Sequence, residues 1–281
     1  MLILAGSIVA RTQDAVKLYH ITSSHTAFPD ASRAKGHMYD SILYETKSHY
    51  NDSSVLVIVP PGFKPGKKIN FIFWFHGWRN NIDQAASHYQ LVNQFVDSKV
   101  NAVLVLAETA KDAPDSYGGK LERPNEFKLL LDDVMTSLKK LHGVTKRAKP
   151  GEVVLAGHSG AYRVISYIVK NGNVPISELI LFDALYAETD KFITWIKSNT
   201  AHRFINLYTD HGGTDLESKM MVKSLTLQNI HVHTVEESQV TPEVLQQQRL
   251  LVVHSSRMHD EIINNPDNFK LLLGNGVLKR N

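Results

Sequence analysis

The chain contains no cysteine in 281 residues. Disulfides, thiolate metal ligands and a cysteine nucleophile are therefore excluded. Charge of one sign is also lacking. The 31 Lys and Arg stand against 28 Asp and Glu, a formal +3, which is too small an excess for a nucleic-acid surface. The basic clusters Lys64, Lys67, Lys68 and Lys146, Arg147, Lys149 lie beside Pro or Gly and read as solvated loop tips. Long apolar runs are scarce. Past residue 10 none reaches the ~18 residues that a membrane helix requires, so a soluble body with no membrane span is expected. The opening "MLILAGSIVA" has no basic flank. It reads equally as the tail of an export signal or as a first core strand, and leaves the compartment open, cytoplasmic or exported.

Internal repeats and low-complexity linkers are absent too, and the length suits one large α/β domain over residues 1–281. From about residue 53 apolar strand-like runs alternate with amphipathic helices. "SSVLVIVPPG" (53–62) and "KINFIFWFHG" (68–77) read as neighbouring strands, followed by a helix over about 82–98 and the run "NAVLVLAET" (101–109). Phe127, Leu130, Leu131, Val134, Leu138 and Leu141 recur at helical spacing, and Gly143 supplies a stop. Further on come strands at "SELILFDALY", "HRFINLYTDHGG", "NIHVHTV" (229–235) and "RLLVVHSS" (249–256), a helix over about 214–227, and a closing helix opened by Pro266. Continuous Val/Ile/Leu runs separated by helices predict a mostly parallel central sheet with helices on both faces, a three-layer α/β sandwich. In residues 1–52 only "AVKLYHIT" and "DSILYET" suggest strands, at the sheet edge.

"VVLAGHSGAYRV" (153–164) concentrates the chemical signal. A buried strand stops at Gly157-His158-Ser159-Gly160-Ala161 and helical spacing resumes at once. A serine hydroxyl attacks a carbonyl only when it is exposed, aimed and next to a base. A tight strand-to-helix corner exposes it at the carboxyl edge of a parallel sheet, where ligands bind. Gly157, Gly160 and Ala161 keep the corner free of bulk. The corner also sets the Gly160 N–H at a helix N-terminus, facing a developing oxyanion. A Gly-x-Ser triplet by itself is common, and a serine N-cap is the ordinary alternative. Its place between a buried strand and an amphipathic helix favours the nucleophile. "FWFHGWRNN", a strand ending in His76-Gly77, offers the Trp78 N–H as the second oxyanion donor, against an ordinary turn with a structural His76.

These segments together, "VLVIVPPGF", "FIFWFHGW" and "GHSGAY", resemble the α/β-hydrolases, in the order and spacing of their esterase and lipase members. The likeness covers roughly residues 53–265, and Ala161 departs from the second glycine often found after the nucleophile. It implies a nucleophile, acid, base order along the chain, with the acid after a strand beyond Ser159 and the histidine near the C-terminus. His259 in "VVHSSRMHDEI" is the preferred base, and His254, at a strand end, is the competitor. His231 and His233 alternate on one strand face, but no carboxylate cluster of suitable spacing accompanies them, so no metal is expected. Asp183, a charge at the end of a buried strand, needs a partner and is preferred as the acid. Asp215 and Asp210 in "TDHGGTD" remain alternatives, with helix-cap and turn readings of their own.

The expected activity is that of a serine hydrolase, with a carboxylic ester as the small-molecule substrate, a Ser159-His259-Asp183 triad, an acyl-enzyme and no cofactor. An amidase or peptidase would use the same groups. A non-catalytic binding protein on this fold is the rival of another class, and the intact Ser, His and His-Gly elements weigh against it. Trp78, Tyr162 and Tyr186 flank the corner as a possible aromatic wall or as ordinary rim residues.

Overall fold

A computed structural model describes residues 15–280. The opening apolar segment, with its export-signal and first-strand readings, lies outside the described residues. Among the described residues eleven strands form, in chain order β1 (Lys17–Thr22), β2 (His37–Tyr39), β3 (Ile42–Tyr44), β4 (Ser54–Val59), β5 (Lys68–Phe75), β6 (Val103–Ala107), β7 (Lys149–His158), β8 (Glu178–Phe182), β9 (Arg203–Thr209), β10 (His233–Glu236) and β11 (Leu250–Ser255). Nine of them make one sheet in the order β1-β4-β6-β5-β7-β8-β9-β11-β10. β1 and β4 pair antiparallel at one edge, and every pairing from β6 to β10 is parallel.

Side-chain alternation sorts the apolar runs onto two faces. Val57, Phe71, Phe73, Val105 and Leu155 face the helices Glu126–Leu141, Tyr162–Asn171, Thr189–Ser198 and Asp215–Leu227. Ile58, Ile72, Trp74, Leu104 and Val154 face Ile82–His88, Leu91–Ser98 and Asn268–Gly274. The result is the three-layer α/β arrangement. Burial on both faces explains why the parallel strands read as unbroken apolar runs. Among the described residues no helix is long and apolar enough to cross a membrane.

Local boundaries depart from the sequence reading in four places. The helix expected over 82–98 is two helices, because Gln90 adopts a left-handed conformation with φ 51°. "DSILYET" supplies β3, which pairs with β2 in a separate hairpin and not with the sheet edge. The strand expected over 229–235 begins only at His233. The closing helix begins at Asn268, two residues past Pro266.

Candidate active site

β7 leads straight into the corner. Ser159 has φ 55°, a conformation that costs a non-glycine residue about 1–3 kcal/mol and that survives only where the surroundings hold it. One tight turn, Ser159–Ala161, passes into the helix Tyr162–Asn171. The loop after β5 crosses immediately over this corner. A β-carbon on Gly77 would sit 2.7 Å from Ser159 Cβ and 3.2 Å from Ser159 Oγ, so only glycine permits the approach.

That approach sets the peptide joining Gly77 to Trp78 beside the serine hydroxyl, and His76 orients it. Nδ1–H of His76 donates to Gly77 O at 2.7 Å, and Nε2 meets Glu108 Oε1 at 2.6 Å. Burial opposes a charge on this ring, but the neighbouring Glu108 carboxylate outweighs it and raises the His76 pKa. A protonated imidazole satisfies both contacts at once. In a trans peptide the N–H points away from the carbonyl. With Gly77 O held by His76, the Trp78 N–H is turned to the opposite side. Glu108 is itself fixed, accepting from Ile82 N at 3.2 Å and Thr109 N at 3.2 Å.

Asp183 follows β8, the strand next to β7. It is fully buried. Its carboxylate accepts from the Thr209 N–H at 3.2 Å, the Thr209 hydroxyl at 2.7 Å, the Thr214 hydroxyl, and Nδ1–H of His259 at 2.7 Å. Burial alone would raise its pKa, but the bonds from His259, Thr214 and Thr209 prevail and hold it below the usual carboxylate range. Gly212 lies flat against this pair, since a β-carbon there would fall 2.7 Å from His259 Nδ1. The Tyr186 hydroxyl donates to Gly212 O and is within hydrogen-bonding reach of Ser159. Burial and the Asp183 charge push its pKa up to about 12, with the Ser159 bond acting in the other direction.

His259 stands in the loop after β11, and a second imidazole backs it. His158 is buried, lies 4.4 Å from His259 between ring centres, and donates from Nε2 to the His259 carbonyl oxygen at 3.0 Å. The Tyr89 hydroxyl sits between His158 Nδ1 (3.1 Å) and Asp260 Oδ1 (3.3 Å). Burial, and next the nearby His259, press the His158 pKa down to about 4. The ring is neutral near pH 7.

The other sequence candidates are engaged elsewhere. His254 is bridged by Asp210 at 2.9 Å and Glu236 at 2.8 Å. Asp215 opens the helix Asp215–Leu227 and pairs with Lys219 at 2.6 Å. Among the described residues, His158, His259 and Asp260 are the group whose ligand-type atoms approach one another within 4.8 Å. Both nitrogens of His158 and Nδ1 of His259 already have partners. Glu108, Tyr89, His158, Thr209 and Thr214 escaped the sequence reading. Of these only His158, inside the Gly-x-Ser corner, carried a visible signal.

No protein-family model matches the chain, and no curated protein is similar to it in sequence. Solved structures do match. A ferulic acid esterase aligns with a TM-score of 0.58 at 10% identity, over 93% of this chain and 97% of that one. The fluorophosphonate-binding serine hydrolase FphF of Staphylococcus aureus aligns at 0.52 and 10% identity, over 94% of this chain and 100% of its own. A ferulic acid esterase of the anaerobic fungus Anaeromyces mucronatus aligns at 0.52 and 13% identity, over 94% and 91% of the two chains. At these identities the likeness is one of fold. The chain has the α/β-hydrolase fold.

Proposed function

We propose that the protein is a serine hydrolase acting on carboxylic esters. The observation that carries this reading is a positive-φ serine at the end of the central parallel strand, on the same sheet edge as a buried aspartate hydrogen-bonded at 2.7 Å to a histidine ring. A strained serine and a buried, desolvated carboxylate are both costly to keep in a fold. A nucleophile with an oriented base accounts for both.

Ser159 Oγ attacks the ester carbonyl carbon while Nε2 of His259 takes its proton. Nδ1–H stays on Asp183, which fixes the tautomer and stabilises the imidazolium. The N–H groups of Gly160 and Trp78 hold the tetrahedral oxyanion. Collapse breaks the bond to the alkoxy group, which leaves as the alcohol with the proton from His259. Water, deprotonated by the same ring, then cleaves the acyl-serine to release the acid and restore Ser159. No cofactor enters this sequence of steps. The same groups would cleave an amide, and the esterase names of the structural relatives weigh toward the ester.

The test is labelling with a fluorophosphonate followed by peptide mapping, alongside hydrolysis of 4-nitrophenyl acetate without added metal. The adduct is expected on Ser159. An adduct elsewhere, or none on folded protein, would overturn the reading. Activity lost to a chelator and restored by zinc would point to metal chemistry instead.

A further inference from the structure

The hairpin β2–β3 stands outside the main sheet, and its apolar residues face solvent. Met38 and Ile42 are 57% exposed and Leu43 is 50% exposed. Scattered exposed apolar residues need no explanation, but one that continues an aromatic path from a candidate site does. The turn is Asp40-Ser41, with φ 47° and 64°. Positive φ at both central residues defines a two-residue type I′ turn, so the register is set tightly. Tyr39 pairs directly with Ile42, and Met38 with Leu43. Directly opposed residues share a face and successive residues alternate. Tyr39 and Ile42 therefore lie on one face, and Met38 and Leu43 on the other.

The Tyr39 face leads to the serine. The ring of Tyr39 meets Trp78 edge to face, 5.2 Å between centres. The Trp78 indole, 42% exposed, lies against the residue after Ser159, since a β-carbon on Gly160 would sit 2.6 Å from Trp78 Cδ1. Its Nε1–H is tied to Ser116 Oγ at 2.7 Å, which locks the ring in place. An apolar path thus runs from Gly160 over Trp78 and Tyr39 to Ile42 with no charged side chain among these four.

We infer that Trp78, Tyr39 and Ile42 form the binding platform for an extended apolar substituent of the ester. This rests on Ser159 being the nucleophile. The substrate class is an ester whose alkyl or aryl group reaches past Trp78 onto the hairpin. A short acetyl or methyl group would stop before Ile42 and gain nothing from it. The tie at Ser116 satisfies the indole N–H, so the exposed part of the ring offers apolar surface. Covering such surface removes it from water, which is the dominant favourable contribution to apolar binding.

The experiment uses two ester series on the full chain. One lengthens the acyl group from 4-nitrophenyl acetate to octanoate, and the other lengthens the alcohol from ethyl to octyl acetate, followed by titration of released acid. In at least one series kcat/KM is expected to rise about tenfold or more from the short to the long member. Ile42→Asp should remove most of that gain and leave the short ester within about twofold. Leu43→Asp, on the opposite hairpin face, should leave the length preference intact. Both sites are exposed, and unchanged Tm and fluorophosphonate labelling rate will show that fold and nucleophile survive.

A flat profile in both series on labelled protein overturns the platform alone, as does equal loss in the two variants. If the wild type is a dimer that Ile42→Asp dissociates with no change in length preference, the surface serves self-association and the inference fails. Absence of any labelling would remove the platform and the hydrolase reading together.

Discussion

The imidazole of His158 lies 4.4 Å from that of His259 and its Nε2 hydrogen-bonds to the His259 carbonyl oxygen at 3.0 Å. The residue before the candidate nucleophile therefore holds the loop that carries the candidate base. Two imidazoles this close cannot both be protonated at low cost, and burial assigns the neutral role to His158. His259 keeps its hydrogen bond to Asp183 at 2.7 Å.

This neutrality has a consequence for stability against pH. The His158 pKa falls from the ordinary 6.5 to about 4 on folding. Below pH ~6.5 the unfolded chain gains a proton there that the folded chain refuses, so stability drops as pH falls toward 4. The loss from this group approaches roughly 3 kcal/mol by pH ~4. Thermal melts across that window should show the slope, and His158→Asn should flatten it while lowering stability at neutral pH. Asp183 contributes a slope of the same sign further down, since its depressed pKa supplies stability that is lost as pH falls through the folded value. An equal slope in His158→Asn would assign the effect to the carboxylates.

Asp183→Asn keeps the shape of the site but favours the wrong His259 tautomer. Turnover is expected to fall by about 10³–10⁴ with the fold intact. Asp210→Asn and Asp215→Asn should cost little turnover, because those carboxylates are paired with His254 and Lys219. His259→Ala should abolish activity, and His254→Ala should largely keep it. Steady-state kinetics on the set decides. A crippled Asp210→Asn or Asp215→Asn beside a near-normal Asp183→Asn would move the acid to the loop after β9.

Much of this was readable in the amino-acid order because it is local. Continuous apolar runs at β5, β7 and β8 announced strands buried on both faces, and Gly157 to Ala161 announced the corner. The break at Gln90 was hidden because the left-handed residue is a glutamine and not a glycine or asparagine, so it carried no turn signal. Glu108 looked like a polar strand end, and its meaning comes from β5 pairing with β6, which carries His76 to it. Thr209 and Thr214 become Asp183 donors only because β8 and β9 are neighbours. Asp183 itself could be ranked from sequence by the cost of burying a lone charge, with His259 as its expected partner, but its threonine donors could not be named.

The His76–Glu108 pair makes its own prediction. Glu108→Gln removes the charge that raises the His76 pKa, and with it the charge-assisted bond that steadies the ring donating to the Gly77 carbonyl. The Trp78 N–H should wander, lowering kcat about 10- to 100-fold with KM little changed, since the oxyanion forms only in the transition state. Stability follows the sign of a raised pKa. The pairing stabilises fully below the unfolded value of ~6.5 and is lost as pH rises through the higher folded value. Glu108→Gln should therefore lose most at acid pH. A rise in KM with kcat unchanged would place the pair in substrate binding and not in oxyanion support.

Gly212 provides the sharpest test of the Asp183–His259 geometry, because it touches the bond and contributes no chemistry. An alanine methyl would meet both the Asp183 carboxylate and His259 Nδ1, the latter at 2.7 Å, and Gly212 N is tied to Thr209 Oγ1 at 2.9 Å, so the loop has little room to retreat. The methyl must push the imidazole from the carboxylate. Gly212→Ala should then lose turnover on the scale of Asp183→Asn, about 10²–10⁴-fold. The double variant Gly212→Ala/Asp183→Asn should be scarcely worse than either alone, because both break one interaction. Losses that simply multiply would mean that Gly212 acts through something other than the hydrogen bond. Full activity in Gly212→Ala would show that this bond is not needed for turnover.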